Sequence, residues 1–399
     1  MTSNVDKREA DRSMTAEKLR DEIDAGEDIS IVDVRFEDEF EDWRIPGSEN
    51  IPFMDIEEEP DEYADEIPED KPVYMVCAKG GSSGYAADMM DERGHDNVYN
   101  VEGGMEAWSA VYDVVDLDIG DDDVDVKQVQ RRAKGCLSYV VGDKESGTAA
   151  VIDATQHTEE FKDIAEENGY EITHVLDTHI HADHLSGGED LAHEVDATYY
   201  LPEGAPERGA EGDFETLGDG EVLEVGDSLE IEGVHAPGHT TDIMNYLING
   251  EALATGDTIF VESIGRPDLE GGDEGAEDFA HRQYETIHER ILSLDNDTVI
   301  LPGHFSVGAD GEAIGVEFAE PMVTTVGELK EENPVLQMDE DDFVESLLSD
   351  MPSRPSNYTD IIETNLGQNE IEDEEEAINL ELGPNNCAAS QDDMTADAD

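Results

Sequence analysis

The sequence predicts an α/β chain in two parts, a parallel sheet covered by helices followed by a layered αββα sandwich. Three observations carry that reading. Short apolar runs alternate with helical stretches over the first hundred or so residues. An aspartate run then breaks the pattern, and beyond it strand signals crowd together before helices return.

The elements follow in order. "ISIVDV" around 30 to 34 is a short apolar strand, "FEDEFEDW" (36 to 43) a turn or two of helix, and "PVYMVC" (72 to 77) a second buried strand. After it come the small-residue loop "AKGGSS" and a helix "GYAADMMDERG", with Gly94 as its stop. The strand "NVYNV" (97 to 101) leads into "EGGMEAW". Residues 113 to 126, "DVVDLDIGDDDVDV", read as a linker. Strands then recur at "CLSYVVG", "TAAVIDA" and "EITHVLD", with a helix over 158 to 168 before the last of these. Further strands are "ATYYL", the hairpin "EVLEVGDSLEIEGVHA" turning at Gly226 and Asp227, and "MNYLING" with "EALATGD", whose "NG" marks a tight turn. Helices are predicted at about 276 to 292 and 313 to 332, with the strand "TVILPG" between them, and both sheets read as rich in antiparallel pairs. The tail from about 369 is mostly acidic and reads as loosely ordered.

Composition limits the function classes. With 105 Asp plus Glu against 22 Lys plus Arg, the formal net charge is -83, so nucleic acid and anionic membranes would be repelled. Apolar runs alternate with the charges, so the acid reads as a solvated surface suited to a salt-rich, halophilic cytoplasm, where screening shortens the repulsion. No run of 18 apolar residues occurs and the first thirty residues lack an apolar signal segment, so a cytoplasmic protein is expected. Three cysteines, Cys77, Cys136 and Cys387, are too few and too far apart for a disulfide framework.

The chemistry concentrates in "THIHADHLSGG" (178 to 188), which follows a predicted strand and places His179, His181, Asp183 and His184 within six positions. Imidazoles and carboxylates at the end of a rigid strand suit a divalent transition ion, and two adjacent pockets are open as readings. Matching ligand types recur after other strands: His239 in "APGHTTD", Asp257 in "ATGDTIF" and His304 in "ILPGHFS".

This set resembles the metallo-β-lactamase superfamily over roughly residues 127 to 330. The resemblance implies one site from His179, His181, His239 and Asp257, and a second from Asp183, His184, His304 and a shared Asp257. The segment "GRPDL" in "GDTIFVESIGRPDLEGG" is similar to that of the persulfide dioxygenases and their rhodanese-fused relatives. That similarity implies one Fe(2+) on His179, His239 and Asp257, with Arg266 forked onto a carboxylate of the substrate; pairing of Arg266 with Asp268 is the alternative. Where the stand-alone dioxygenases carry a cysteine before "GR", this chain has Ile264 and Gly265. Glyoxalase II-type thioester hydrolases share the ligand list, so a Zn(2+) site, of two ions, is the rival reading.

In "VCAKGGSSGYAAD", Cys77 stands between a buried strand and a helix N-terminus, where backbone N–H groups favour a thiolate and a bound persulfide. The first domain resembles rhodanese over about 15 to 112, through "DVR" at Asp33 to Arg35, "WRIPGSENIP", the loop Cys77 to Ser83 and "GGMEAW". Rhodanese loops often carry arginines where this chain has Lys79 and Ser82, so Lys79 is the one candidate substrate cation and an organic persulfide the more fitting donor. Cys136 reads as a small core residue, and Cys387 has no assigned role.

The expected organisation is an extension (1 to 14), a rhodanese-like domain (15 to 112), an acidic linker (113 to 126), a metallo-β-lactamase-fold domain with C-terminal helices (127 to 368) and an acidic tail (369 to 399). The expected activity is oxidation of the sulfane sulfur of a low-molecular-weight thiol persulfide by dioxygen, with Cys77 as persulfide carrier. Small molecules are the expected partners, and a homo-oligomer is left open. The rivals are a dinuclear zinc thioester hydrolase and a sulfur-carrier module acting through Cys77 alone.

Overall fold

In the computed structural model the described residues are 12–349, 351–355, 357–371 and 374–381; Cys387 lies outside them. The chain divides into two compact units: one comprises the residues up to Tyr112 with Arg131–Lys134 and Val307–Ala313, and the other the remainder.

The first unit is built on a five-stranded sheet in the order Ser13–Met14, Val98–Val101, Val73–Val76, Ser30–Asp33, Ser48–Asn50. Every neighbouring pair is parallel. Val73 to Val76 are all buried, as expected of a strand covered on both faces. Ala86, Ala87 and Met90 of the helix Gly81–Asp91 pack with Val73, Met75, Val98 and Cys77 in one apolar cluster. The "DVR" motif works locally. Arg35 forks onto Asp33 and donates from Nη2 to the Trp43 carbonyl at 2.6 Å, so a buried charge is paired and the following loop is held.

The second unit is a sandwich of two sheets. The first runs Glu215–Leu217, Thr198–Pro202, Glu171–Leu176, Thr148–Ile152, Cys136–Asp143, Val124–Arg131, Tyr112–Leu117. The second runs Val222–Val225, Leu229–His235, Met244–Ile248, Ala252–Gly256, Val299–Pro302, Thr324–Thr325. Alternation along the strands separates two cores. Ala252, Ala254 and Leu301 face the space between the sheets with Tyr139, Ile152 and Tyr246, while Leu253 and Ile300 face outward onto Ala280, Ile287 and Phe343 of the covering helices. The predicted "NG" hairpin turns at Asn249 and Gly250, both with positive φ, as a type I′ geometry requires. No helix among the described residues is long and apolar enough to cross a membrane.

Four expectations need correction. The first sheet is antiparallel only in part, since Thr148–Ile152, Glu171–Leu176, Thr198–Pro202 and Glu215–Leu217 run parallel, the first three joined by the crossover helices Thr158–Asn168 and Gly188–Val195. Residues 113 to 126 are not a free linker. Val115, Val124 and Val126 are buried in sheet strands, and the run Asp121 to Asp123 lies in the connection between them. The helix expected over 313 to 332 spans only Val326–Glu332, because Thr325 caps it in a reciprocal box with Glu328 and Thr324–Thr325 pairs as a strand. Part of the acidic tail is ordered too: Glu374–Glu381 is helical, with Ala377 packed near Leu185 and Ile361.

Candidate functional site

The "THIHADH" loop is clamped by both sheets of the sandwich. Asp153, at the end of Thr148–Ile152 and with a positive φ of 56°, accepts from Thr178 N at 2.6 Å and from Thr178 Oγ1 at 3.0 Å. From the opposite sheet, Met244 N donates to Thr178 O at 2.8 Å and Tyr246 OH to Asp177 O at 2.7 Å. The helix Tyr358–Asn365 closes the far side. Asn365 Nδ2 donates to the carbonyls of His181 and His184, at 2.9 and 2.8 Å, and its Oδ1 accepts from Ser186 N. Glu381 Oε1 accepts from Leu185 N at 2.6 Å. Four elements therefore hold one short loop, as ligand positioning requires.

Every ligand predicted for the metal sites is brought together here, each at most 5% exposed. They fall into three buried groups whose ligand atoms lie within 4.8 Å of one another: His179 with His239 and Asp257; Asp183 with His184, His304 and Cys136; and His181 with Asp153 and Asp177. The two-site expectation thus needs adjustment. His181 turns from the first group toward Asp153, with Nε2 3.3 Å from Oδ1, and Cys136 enters the second.

In the first group, His239 donates from Nδ1 to the Arg266 carbonyl at 2.8 Å, and His179 Nδ1 contacts Thr178 Oγ1 at 2.9 Å. Those contacts leave both Nε2 atoms directed at Asp257 Oδ2, 4.0 Å from His179 and 3.7 Å from His239. All three atoms are buried and make no hydrogen bond, so a cation would satisfy them. Burial disfavours charging either ring: His179 is held well below the ordinary imidazole range, where His181 and His239 add to the effect, and His239 is lowered despite Asp257. Neutral rings with free Nε2 lone pairs are the ligating form. The other oxygen, Asp257 Oδ1, accepts from His304 Nδ1 at 2.6 Å. Two imidazoles and one carboxylate are a donor set that could hold a divalent ion and would leave it further coordination positions.

Gly265 is required by this geometry. A Cβ there would stand 1.8 Å from the Asp257 carbonyl oxygen, so the "IGRPD" turn can lie against the ligand strand end only without a side chain. Arg266 was expected to fork onto substrate. Its guanidinium instead engages Asp268 from Nε and Nη2, at 2.7 and 3.1 Å, and the carbonyls of Ser353 and Pro352, while its backbone carbonyl reaches His239. Burial and the shortness of the turn decide this, since Asp268 is two residues away and 2% exposed.

In the second group burial opposes the charged forms, yet the partners outweigh it. Asp183 and Cys136 raise His184, Asp257 and Asp183 raise His304, and the two imidazoles bring the Cys136 thiol down to about 6. Sequence reading missed Cys136, Asp153 and Asn365. The "VID" strand end could have marked Asp153, whereas Cys136 and Asn365 carry no local signal.

In the first unit, Cys77 is buried at the end of Val73–Val76, and Ser83 Oγ lies 3.1 Å from its Sγ and 2.7 Å from Asn100 Oδ1. Burial opposes the thiolate, but the hydroxyls of Ser82 and Ser83 and the backbone N–H groups of Ser83 and Lys79 prevail and hold the thiol below its ordinary value. Gly104 packs behind the loop, where a Cβ would meet the Cys77 carbonyl oxygen at 2.0 Å. That contact accounts for the second glycine of "GGMEAW". Lys79 Nζ lies 2.9 Å from Glu106 Oε1, so its charge is shared with a carboxylate and does not face a donor alone.

Residues 15–111 match the family model of the rhodanese-like domain, and residues 131–304 that of the metallo-beta-lactamase superfamily. The chain is 28% identical to the mitochondrial persulfide dioxygenase ETHE1 of Bos taurus over 214 residues, 53% of this chain and 76% of that one. It is 29% identical to the hydroxyacylglutathione hydrolase of Polaromonas sp. over 239 residues, 55% of this chain and 88% of that one. The crystal structure of ETHE1 from Myxococcus xanthus aligns with a TM-score of 0.51 at 25% identity, covering 61% of this chain and 99% of that one.

Proposed function

Because this chain belongs to the metallo-β-lactamase superfamily through residues 131–304 and carries a rhodanese-like domain over 15–111, we propose that it is a persulfide dioxygenase with a sulfurtransferase domain. The observation that carries this reading is the separation of His181 from the group formed by His179, His239 and Asp257. A ferrous ion held by those three residues supplies, when bound, the redox chemistry that dioxygen requires and an open coordination face. The remaining work falls to the protein. The Arg266 carbonyl and Thr178 fix which ring nitrogens face the site, and His304 holds the second oxygen of Asp257. Burial of all three ligands places their donor atoms in a low-dielectric setting, where their attraction for a cation is strengthened.

The overall reaction balances as one thiol persulfide, one dioxygen and one water giving one thiol and one sulfurous acid, released as sulfite with its protons. The sulfane sulfur loses four electrons and dioxygen gains them; two oxygens of sulfite derive from dioxygen and the third from water. In the first unit the Cys77 thiolate attacks the sulfane sulfur of a donor persulfide. The S–S bond of the donor breaks, its thiolate leaves, and Cys77 becomes the persulfide.

Anaerobic purification followed by metal analysis and an oxygen electrode tests the reading. Iron near one per chain, with oxygen consumed and sulfite released on adding a low-molecular-weight thiol persulfide, is expected. Stoichiometric zinc with no persulfide-dependent oxygen uptake would sink it. One observation favours a second reading: the buried Nε2 of His184, without a hydrogen bond, and that of His304, 2.9 Å from Asp183 Oδ2, suit a second ion. A dinuclear zinc hydrolase built on them would cleave thioesters without consuming oxygen.

A further inference from the structure

The thiol of the first unit is reached by a hydroxyl that has a second acceptor within range. Ser83 Oγ lies 3.1 Å from Cys77 Sγ and 2.7 Å from Asn100 Oδ1, yet a serine hydroxyl carries one proton and donates to one acceptor at a time. Backbone register brings the three side chains together. Asn100 pairs with Met75 of the neighbouring strand, and Val73, Met75 and Cys77 share with Val98 the face covered by Ala86 and Ala87 of Gly81–Asp91. Asn100, two residues after Val98, alternates onto that face and lies against Gly84, where a Cβ would meet its Nδ2 at 3.6 Å. Cys77 and Ser83 are buried, so the hydroxyl depends on a protein acceptor.

We propose that Asn100 is a positioning residue for Cys77: it takes the Ser83 proton whenever Sγ is not an anion, and so favours the thiol and the persulfide over the thiolate. For the persulfide half of the cycle this rests on the sulfurtransferase reading. While Sγ is a thiolate, the hydroxyl donates to it, because a charge-assisted bond outweighs one to a neutral amide oxygen. When the thiolate attacks a donor persulfide, an S–S bond forms at Sγ, the donor's own S–S bond breaks, and the donor thiolate leaves with the electron pair. Sγ is then bonded to two atoms and is a weak acceptor, and the proton or charge resides on the terminal sulfur. The hydroxyl turns to Asn100 Oδ1, and no buried donor is left unpaired. The charged groups on neighbouring elements are engaged elsewhere. Arg35 pairs with Asp33 and Lys79 with Glu106, the first turn of Gly81–Asp91 carries no acid, and Tyr99 alternates to the opposite face beside Tyr74.

The full chain is titrated by thiolate absorbance, each variant against the same variant carrying Cys77→Ser. Asn100→Ala should raise the ionisation constant of Cys77 by about three- to tenfold, because the hydroxyl is left to Sγ alone. Asn100→Asp should lower it, since a carboxylate holds the proton harder and repels the anion. In a Ser83→Ala background, Asn100→Ala should leave the constant unchanged, as the two residues act through one hydroxyl. A side chain needed only for packing would move both Asn100 variants alike, with or without Ser83. That result, or a constant unaffected by Asn100→Ala, overturns the proposal. Asn100 borders a surface cavity, and Asn100→Asp, close to it in size, gives an answer even if the alanine variant folds poorly. Persulfide at Cys77 is then read by mass after equilibration, at a pH where the thiol is ionised, with a fixed ratio of a low-molecular-weight thiol to its persulfide. Asn100→Ala should shift the ratio of persulfide to free Cys77 toward the free form by about three- to tenfold, and a ratio equal to the parent's overturns the persulfide half. If the parent itself takes up no sulfur at Cys77, the sulfurtransferase reading fails, while the titration still decides whether Asn100 acts on Cys77 through Ser83.

Discussion

His181 Nε2 stands 3.3 Å from Asp153 Oδ1, while His179, two residues earlier, points its own Nε2 at Asp257 Oδ2, 4.0 Å away. Two histidines of one motif thus serve different partners. His179→Ala is expected to leave the triad without iron, whereas His181→Ala should retain it with affinity lowered by about 10 to 100-fold, as for a residue that acts through its neighbours. Iron content after equilibrium dialysis checks this. Equal loss of metal in both variants would place His181 among the ligands and favour the hydrolase arrangement.

Gly265→Ala should disturb the same site by a different route. The added methyl would stand 1.8 Å from the Asp257 carbonyl oxygen, so either the "IGRPD" turn or the end of Ala252–Gly256 must move. Overpacking of this kind costs about 1 to 3 kcal/mol. A lower urea midpoint together with weaker metal binding is expected, and a variant matching the parent in both measurements would contradict the packing described.

Arg266 separates a structural role from a substrate role. With its guanidinium occupied by Asp268 and two carbonyls, Arg266→Lys should lose the planar fork and cost about 2 kcal/mol in denaturant unfolding. The KM for the persulfide should change little. A raised KM at unchanged stability would instead restore the substrate role.

Cys77 gives a pH dependence with a definite sign. Its thiol lies below the ordinary value once folded, so the thiolate forms at lower pH than in the unfolded chain. That group adds stability as pH rises through its folded value, and the contribution is complete above the unfolded one. Thiolate absorbance, taken as the difference between the parent and Cys77→Ser, should titrate below the range of a free cysteine. Ser83→Ala should move the midpoint upward, because one of the hydroxyls stabilising the anion is lost. A midpoint unchanged by Ser83→Ala would count against this account of the loop.

The sequence by itself determined which ligand types would meet and which elements would carry them. Strand-end placement of His179, Asp257 and His304 is legible because apolar runs mark the strands and small residues mark the turns, and Cys77 is legible for the same reason. The parallel half of the first sheet was not, since buried strands read alike whichever way their neighbours run. What only the tertiary structure decided is the division of labour among the ligands. Cys136 meets His304 across 168 residues through one backbone bridge, and Asn365 reaches back to His181 across 184. His181 Nε2 comes to 3.3 Å from Asp153, and Asp268 occupies the guanidinium of Arg266. These are choices between competing partners at distances of 3 to 4 Å, and a sequence carries residue types and spacings but not the register that selects among such partners.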